Sequence, residues 1–469
     1  MARAGVAERF RVFPGRASWR RRHPWRRPLF LGRQGFPPHP VAEWSRPASD
    51  GAGSSSRTSE ESTMNKRLSL LAAAALAAVS TAASAVDWGG YTRIGPGQKE
   101  ASGDGQRCFD GGGTAAWGSA APGHGGIGRL GNECNTYGEF ALSQGGEANG
   151  VSYKALLMAN FFSTGSAPAS SDGNVTKVNQ LYVEAKGFDV APGINFWIGR
   201  RFYHRADVHF DDSFYVFGGM QDSTGAGAEG INVGAGSLGV AVFRRGDADS
   251  SGNPGTLANF DLQGIDVNPG GKLRAIASFA QHKGAGGKSG SGLTLQHNQA
   301  NVFGADNTAW LQWSKGSVWL DMGFAGATQD SNYKRWRIAD SLAWTKGPLT
   351  AQTLVHYGNA KEPTVAGEHN ATTLSLAGRV AYAMTRNFKL QGELGYATTK
   401  LDIGGVSQPK QNVTKLTIAP TLTVGPNYYD RPELRFYVSM FNYNDGYKNA
   451  LGQSKASKTA AGFQAEIWF

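Results

Sequence analysis

Apolar and polar positions alternate along the carboxyl-terminal end of the chain with a period of two. One face of this segment carries only small or apolar residues: Ala461, Phe463, Ala465, Ile467 and Phe469. The other face carries Gly462, Gln464, Glu466 and Trp468. The same alternation recurs in the segments 318–324, 388–394, 416–422 and 434–440. This period predicts β-strands, each with one apolar and one polar face, and convincing helical segments are missing.

Alternation alone fits either a β-sandwich in water or a barrel in a membrane. Here the array of strands is long and unbroken, short turns such as 268–271 alternate with long Gly- and Ser-rich loops, and Phe469 ends the chain on an apolar face. Many polar faces carry charges, which suits a water-filled lumen. A membrane barrel satisfies its backbone groups by closing, with lipid outside and a polar interior. We therefore predict an all-β fold, a closed antiparallel transmembrane β-barrel, with the sandwich as the alternative.

The amino-terminal region divides into two segments. Residues 64–85 begin with Met, continue through Lys66-Arg67 and an apolar run, and end in Ala83-Ser84-Ala85. This is the pattern of a secretory signal peptide cleaved after Ala85, and a membrane anchor is the alternative. Residues 1–63 are rich in Arg and Pro and lack a hydrophobic period, so we interpret them as a mis-called start or a disordered extension. We expect residues 86–469 to form the barrel of the mature protein.

The net charge of +11 is concentrated in the region ahead of the barrel. Residues 1–63 contain 12 Arg and 5 acidic residues, a net charge of +7, and Lys66 and Arg67 add two. Only +2 of the total therefore remains for residues 86–469. The basic composition is thus no argument for a nucleic-acid partner.

The two cysteines of the chain, Cys108 and Cys134, both fall in the predicted mature region. An even pair in an oxidising compartment favours a disulfide, and two free thiols are the alternative. On the loop-entropy model this bond would contribute about 3–4 kcal/mol.

The mature region lacks the HExxH and GxSxG motifs and shows no metal-ligand spacing, so we predict no enzyme, metal or cofactor. The motif Gly225-x-Gly227-x-x-Gly230 matches a dinucleotide fingerprint by its letters. It follows no parallel strand and opens no helix, so we interpret it as a turn.

Several stretches resemble the maltoporin family. They are VDWGGYTR at 86–93, CF at 108–109, RLGNECNTYGE at 129–139, WIGRRFYHRADVH at 197–209, GAGAEG at 225–230 and EIWF at 466–469. Between about 245 and 455 the resemblance is mainly one of strand pattern. It implies a homotrimer of barrels with about 18 strands each, in the lipid and lipopolysaccharide of the bacterial outer membrane. Each barrel would let maltose, maltodextrins or related oligosaccharides diffuse passively, without a cofactor.

The resemblance also implies an aromatic slide, on which the apolar face of a sugar moves. Its positions correspond to Tyr91, Tyr137 and Trp468. The period of two independently places all three side chains on the inner face of the barrel, whereas Ile467 and Phe469 face outward.

A polar track would complement the slide by exchanging hydrogen bonds with sugar hydroxyls. The family's track maps onto Arg93, Arg129, Glu139, Arg205, Asp207 and Asp212. The last three belong to the segment that corresponds to a constriction loop folded into the lumen. Each of these charges could instead be a solvated lumen residue or part of a structural ion-pair ladder. His204 and His209 flank the constriction, where we expect packing or loop contacts rather than catalysis.

The sequence departs from the maltoporin pattern at several positions. No Trp lies between Trp117 and Trp197, so the slide ring that a neighbouring subunit contributes in the family is expected to be absent. The mid-slide Trp would be replaced near 373–374, and the slide Phe would fall near Phe303. Trp310 and Trp319 are predicted to point inward and could substitute, with girdle positions as the alternative.

At the constriction, Phe214 and Phe217 replace Tyr and Asp, as in the sucrose-porin variant, whereas Arg205 is retained. We therefore predict a sugar-selective porin without securing maltodextrin as its substrate. A general-diffusion porin is the alternative, followed by a barrel-based outer-membrane enzyme or adhesin.

Overall fold

The computed structural model describes ten stretches of the chain. They are residues 86–95, 98–100, 126–133, 136–163, 177–219, 223–246, 254–284, 286–364, 367–450 and 454–469. The predicted signal peptide and the predicted disulfide between Cys108 and Cys134 lie outside these residues. Within them, no helix is both long enough and apolar enough to cross a bilayer.

The described residues form 22 β-strands and one short helix, α1 (Asp445–Ala450). The strands are β1 (Asp87–Ile94), β2 (Gln98–Glu100), β3 (Thr136–Ala148), β4 (Val151–Ser163), β5 (Lys177–Lys186), β6 (Asn195–Arg200), β7 (Tyr203–Val208), β8 (Ser213–Gly218), β9 (Ser223–Asn232), β10 (Ser237–Arg245), β11 (Gly255–Asn268), β12 (Gly271–His282), β13 (Ser289–Val302), β14 (Ala305–Gly316), β15 (Lys334–Lys346), β16 (Leu349–Thr364), β17 (Gly367–Thr385), β18 (Phe388–Ile403), β19 (Val406–Ser407), β20 (Gln411–Thr423), β21 (Glu433–Tyr443) and β22 (Ser457–Trp468).

Eighteen of these strands close into one antiparallel barrel. The first strand, β1, completes the ring because it pairs with β3 on one side and with β22 on the other. Tyr91, for example, is aligned with Glu139 of β3 and with Trp468 of β22. The short strands β2 and β19 add to β22 and β18, and β7 and β8 form a separate hairpin. The predicted closed barrel of about 18 strands is confirmed.

The two faces of the wall follow the alternation in the sequence. On β21, Leu434 and Phe436 are 55% and 53% exposed on the outside, whereas Arg435 and Tyr437 are buried inside. Because the backbone groups are paired around the closed ring, only side chains meet the two solvents, lipid outside and water inside. The predicted strands at 388–394, 416–422, 434–440 and 461–469 are confirmed.

The two ends of the barrel differ. At one end most connections are short, such as the two-residue turns 149–150, 303–304 and 347–348. At the other end lie longer connections, including 201–222 and 317–333. The lumen therefore receives most of its loop residues from one end.

Three parts of these connections fold into the lumen. We call them the glycine-rich segment (Gly126–Glu133), the constriction hairpin (Tyr203–Gly218, comprising β7, β8 and their turn) and the apolar loop (Ser317–Tyr333). Each contains fully buried side chains, for example Ile127, Phe210 and Val318. They narrow the passage that the wall alone would leave open.

The segment 318–324 is part of the apolar loop, so its prediction as a wall strand is wrong. Strand β14 ends at Gly316, whose φ of 61° turns the chain inward. The alternating residues Val318, Leu320, Met322 and Phe324 are all at most 2% exposed. Val318 and Phe324 pair with each other as an isolated bridge, so a tight reversal produces the same period of two as a strand.

The interpretation of 225–230 as a turn is also wrong, because these residues lie in the wall strand β9. A Cβ atom on Gly225 would lie 2.6 Å from a ring carbon of Phe243, and one on Gly227 would lie 2.6 Å from Nε1 of Trp197. The two glycines therefore accommodate rings packed on the inner wall.

Candidate functional site

Three aromatic rings meet on the inner wall where the first and last wall strands, β1 and β22, close the barrel. Tyr91 and Trp468 are neighbours in the β1–β22 ladder, and both are half-buried. Tyr429 comes from the connection 424–432 between β20 and β21, and its ring centroid lies 6.5 Å from that of Trp468. Tyr429 is 51% exposed. The three side chains provide partly accessible apolar surface inside a polar channel.

The turn that carries Tyr429 is held in place by polar contacts. Asp430 accepts a hydrogen bond of 2.8 Å from the backbone N–H of Asn427, and the Lys389 ammonium donates one of 2.9 Å to the Asn427 carbonyl. Arg431 places its guanidinium 4.2 Å from the ring centroid of Trp468 and pairs with Glu466 at 2.8 Å. Sequence reasoning missed Tyr429. The available signal was a turn much longer than its two-residue counterparts, with two adjacent tyrosines.

Tyr137 lies behind the other rings. Its centroid is 6.2 Å from that of Tyr91, but the side chain is only 1% exposed. Its hydroxyl donates a 2.6 Å hydrogen bond to Glu139, and the Arg93 guanidinium lies 5.4 Å from its ring centroid. Of the predicted slide residues, Tyr91 and Trp468 are therefore the more accessible, and Tyr137 packs against Tyr91.

The expected slide position near Phe303 is wrong, whereas Trp310 points inward as predicted. Phe303 lies in a two-residue turn at the barrel end and is fully exposed there. Thr373 is buried, and its hydroxyl is 3.2 Å from that of Thr399. Trp310 does face inward, but Tyr215 stacks on it at 4.3 Å between centroids and leaves it 4% exposed. Trp319 belongs to the apolar loop, under the Arg335 guanidinium at 4.3 Å.

Three of the six predicted polar-track residues, Arg93, Arg129 and Asp212, belong to an ion-pair network beside Tyr91. Arg129 contacts Glu133 through Nε at 2.7 Å, and through Nη2 it contacts Glu466 at 2.6 Å and the Tyr91 hydroxyl at 2.5 Å. Arg93 contacts Glu133 at 2.9 Å and Asp212 at 3.7 Å. Arg93, Glu133 and Glu466 are at most 2% exposed. These charges hold the glycine-rich segment and the constriction hairpin to the wall.

Glu139 is likewise occupied, because it accepts hydrogen bonds from Tyr137 and, at 3.2 Å, from Asn179. Its side chain is 3% exposed. It therefore supports the Tyr137 hydroxyl.

Two predicted track residues are different, because they are exposed on the constriction hairpin. Within the described ranges, neither Arg205 nor Asp207 forms a salt bridge. The Arg205 guanidinium lies 5.3 Å from the ring centroid of Phe214 and 6.0 Å from that of Phe217. The two rings stack on each other at 4.8 Å and are 6% and 1% exposed. Arg205 therefore covers the apolar pair and presents its own donors to the passage.

The two histidines of the hairpin have opposite electrostatic settings. Burial alone would lower the pKa of His204, but its hydrogen bonds to Asp261 and Glu229 raise it, the second at 3.2 Å. Burial, together with the positive charge of Arg129, holds the pKa of His209 well below its usual value. His204 is thus a clamp between hairpin and wall, and its two carboxylate partners favour the protonated ring. His209 is a neutral ring lying 5.5 Å from both Tyr429 and Trp468.

In the part of the chain that the structure describes, no three His, Cys, Asp or Glu side chains are grouped so as to hold a metal ion. The site consists instead of aromatic faces, fixed ion pairs and two available charged groups.

Residues 86–469 match the family model described as LamB porin. The chain belongs to the LamB porin family. A relative named maltoporin, from Hahella chejuensis (strain KCTC 2396), is 29% identical to this chain over 427 residues. The match covers 86% of this chain and 99% of that protein.

Solved porins also match this chain along most of its length, at low identity. The in-vitro folded trimer form of OmpT from Vibrio cholerae is 11% identical, with a TM-score of 0.38, and the match covers 82% of this chain and 99% of that one. A mutant porin of Rh. blastica is 10% identical, with a TM-score of 0.36, and covers 82% and 100%. Membership in the family identifies this protein as a sugar channel of the bacterial outer membrane and not as an enzyme.

Proposed function

We propose that this porin is a homotrimeric channel for facilitated, passive diffusion of maltose, maltodextrins or related oligosaccharides. The single observation that carries the proposal is the group of partly accessible rings at Tyr91, Tyr429 and Trp468 beside charged side chains. A sugar presents apolar C–H faces and a rim of hydroxyls. It is recognised best where aromatic surface and hydrogen-bonding charges lie side by side.

The polar residues divide into two roles in this proposal. Arg93, Arg129 and Glu466 keep the rings and loops in position, because their charges are already paired. Arg205 and Asp207 exchange hydrogen bonds with passing hydroxyls, because they are exposed and unpaired by salt bridges among the described residues. Weak, sequential contacts of this kind let a sugar bind and leave without an energy source.

The choice among oligosaccharides is a finer part of the proposal. The relative named maltoporin supports maltose and maltodextrins. The stacked Phe214–Phe217 pair under Arg205 supports a less polar constriction, as in the sucrose-porin variant. A general-diffusion porin is the competing function. It is favoured by the many lumen charges that are already paired with each other, because such ion pairs can hold the loops in place without binding any sugar.

Sugar-induced block of the ion current in planar bilayers tests the proposal. We expect millimolar malto-oligosaccharides or sucrose to close the wild-type channel reversibly. Trp468→Ala and Tyr429→Ala should each weaken the block by about 1–3 kcal/mol, with base stacking on aromatic side chains as the nearest analogue.

Phe463→Ala is the matched control, since Phe463 lies on the same strand as Trp468 but points outward and is 60% exposed. Its block should equal that of the wild type. If no sugar closes the wild-type channel, the function is general diffusion.

A further inference from the structure

The glycine-rich segment carries Arg129 and Glu133 into the lumen. Its backbone is held there by a carboxylate of the constriction hairpin, that of Asp211. Asp211, in the turn of the constriction hairpin, accepts hydrogen bonds from the N–H of Gly126 at 2.8 Å and from that of Gly128 at 2.8 Å. The Ser213 hydroxyl donates to the other carboxylate oxygen. Asp211 is 5% exposed, so water competes little for these contacts.

Side chains of the wall form hydrogen bonds with the opposite edge of the same segment. The Lys415 ammonium donates hydrogen bonds to the carbonyls of Gly128 and Leu130, at 2.6 and 2.9 Å. The N–H of Leu130 donates to Glu393 at 2.9 Å. A Cβ atom on Gly128, whose φ is +80°, would lie 2.3 Å from the Glu393 carboxyl carbon. Only glycine at position 128 therefore lets the segment approach the wall this closely. On the side away from the wall, Asp211 of the hairpin accepts hydrogen bonds from the N–H groups of Gly126 and Gly128.

The next residue along this backbone is Arg129. Its N–H donates to the Phe210 carbonyl at 2.9 Å, one residue before Asp211 in the hairpin. Its side chain then reaches the Tyr91 hydroxyl at 2.5 Å and Glu466 at 2.6 Å. The position of Arg129, and through it the orientation of the Tyr91 ring, follows from where the glycine-rich segment is held.

We propose that Asp211 is a positioning residue for sugar binding, which fixes Arg129 and Tyr91 by clamping the amides of Gly126 and Gly128 to the constriction hairpin. The inference rests on the proposed sugar channel and adds a residue that touches no sugar. The surrounding charges are Glu393, Lys415 and Arg379, the last of which donates to the Phe210 carbonyl at 3.2 Å.

The charge state of Asp211 supports this role at neutral pH. Burial raises its pKa to about 6, although the bonds from Ser213, Gly126 and Gly128 act in the opposite direction. At pH 7 the group is therefore mainly a carboxylate, which accepts hydrogen bonds more strongly than a neutral group.

The test compares Asp211→Ala and Asp211→Asn with wild type in the full-length porin. Asp211→Ala removes both acceptors and should weaken sugar block by roughly tenfold, the effect of losing hydrogen bonds to a charged group. Asp211→Asn keeps one oxygen that can accept from both glycines, so it should restore most of the affinity. Single-channel conductance should change little and the barrel should stay folded, although the amides left without an acceptor cost some heat stability. A generally misfolded barrel would lose the conductance as well.

Hydrogen exchange of the peptide spanning 126–133 provides a measurement that does not depend on sugar. Exchange should be faster in Asp211→Ala than in wild type. The control is Asp330→Ala, which removes an aspartate that caps the N–H of Asn332 in the apolar loop. It should leave both sugar block and exchange at 126–133 unchanged.

Unchanged exchange at 126–133 in Asp211→Ala would overturn the inference whether or not sugar binds. Unchanged block in Asp211→Ala, alongside weakened block in Trp468→Ala, would overturn it while the proposed function stands. If wild type shows no block but exchange in Asp211→Ala is faster, the clamp is supported and the sugar channel fails.

Discussion

The glycine-rich segment and the apolar loop both fold into the lumen, but they are held there by different forces. The segment uses backbone amides and carbonyls against Asp211, Glu393 and Lys415. The loop buries Met322 and Phe324 completely among wall and hairpin side chains. Polar anchoring is directional and places a charged side chain such as Arg129 beside a ring. Apolar packing has no such direction, and it mainly fills space.

The constriction hairpin links the two regions. Gln312 of the wall donates hydrogen bonds to the Tyr215 carbonyl of the hairpin at 2.5 Å and to the Leu320 carbonyl of the apolar loop at 2.8 Å. Arg337 in turn donates to the Gln312 side-chain oxygen at 2.6 Å. The hairpin is therefore held to the segment through Asp211 and to the loop through Gln312. Substitutions in the glycine-rich segment and in the apolar loop should therefore have different consequences.

The largest expected effect is on stability, from the apolar side. Phe324→Ala should lower the free energy of unfolding by about 3–5 kcal/mol, because it opens a cavity in a fully buried cluster. Thermal unfolding in detergent, followed by circular dichroism, measures this. Phe303→Ala serves as the control, since that ring is fully exposed in a turn. Equal unfolding temperatures for the two variants would mean that the apolar loop contributes little to the packing of the lumen.

A substitution in the glycine-rich segment should cost less stability than Phe324→Ala but should weaken sugar binding more. Gly128→Ala forces a Cβ against Glu393 at a backbone angle that L-residues avoid, so it should cost about 1–3 kcal/mol and weaken sugar block. Gly304→Ala separates the two causes, because Gly304 has a nearly identical φ of 82° but open space around its Cβ position. Sugar block that is unchanged in Gly128→Ala would contradict a polar role for the segment.

The smallest effect should come from the His204 clamp, and it depends on pH. Hydrogen bonds to Asp261 and Glu229 raise the folded-state pKa of His204 above the unfolded value, although burial opposes them. Its contribution is therefore complete below about pH 6.5, the unfolded value, and is lost as the pH rises through the folded pKa. His204→Gln should remove this dependence. The unfolding temperatures of wild type and His204→Gln are compared between pH 6 and 9. If the two change with pH in the same way, the clamp is ruled out.

Local pattern was enough to predict the wall. Side chains that alternate along 434–440 and 461–469 must point to opposite sides of any sheet, so lipid-facing Phe436 and lumen-facing Trp468 were assigned correctly from the period alone. The same rule failed at 318–324, because a tight reversal packed on both sides has the same alternation as a strand. The separate interpretation of 225–230 as a turn, which rested on its glycine motif, failed because these glycines lie in a wall strand and accommodate rings contributed by β6 and β10.

The sequence thus specifies the wall strands and which of their side chains face each of the two solvents, because a period of two depends only on neighbouring positions. Which of those residues are accessible depends on contacts between distant parts of the chain. Arg129 and Glu466 are 337 positions apart, and Arg431 and His209 are 222 apart. Folding of three connections into the lumen pairs most of the charges, buries Tyr137 and Trp310, and leaves Tyr429, Arg205 and Asp207 exposed. Such pairings have no local signature, because Coulombic and hydrogen-bonding partners are chosen by proximity in space.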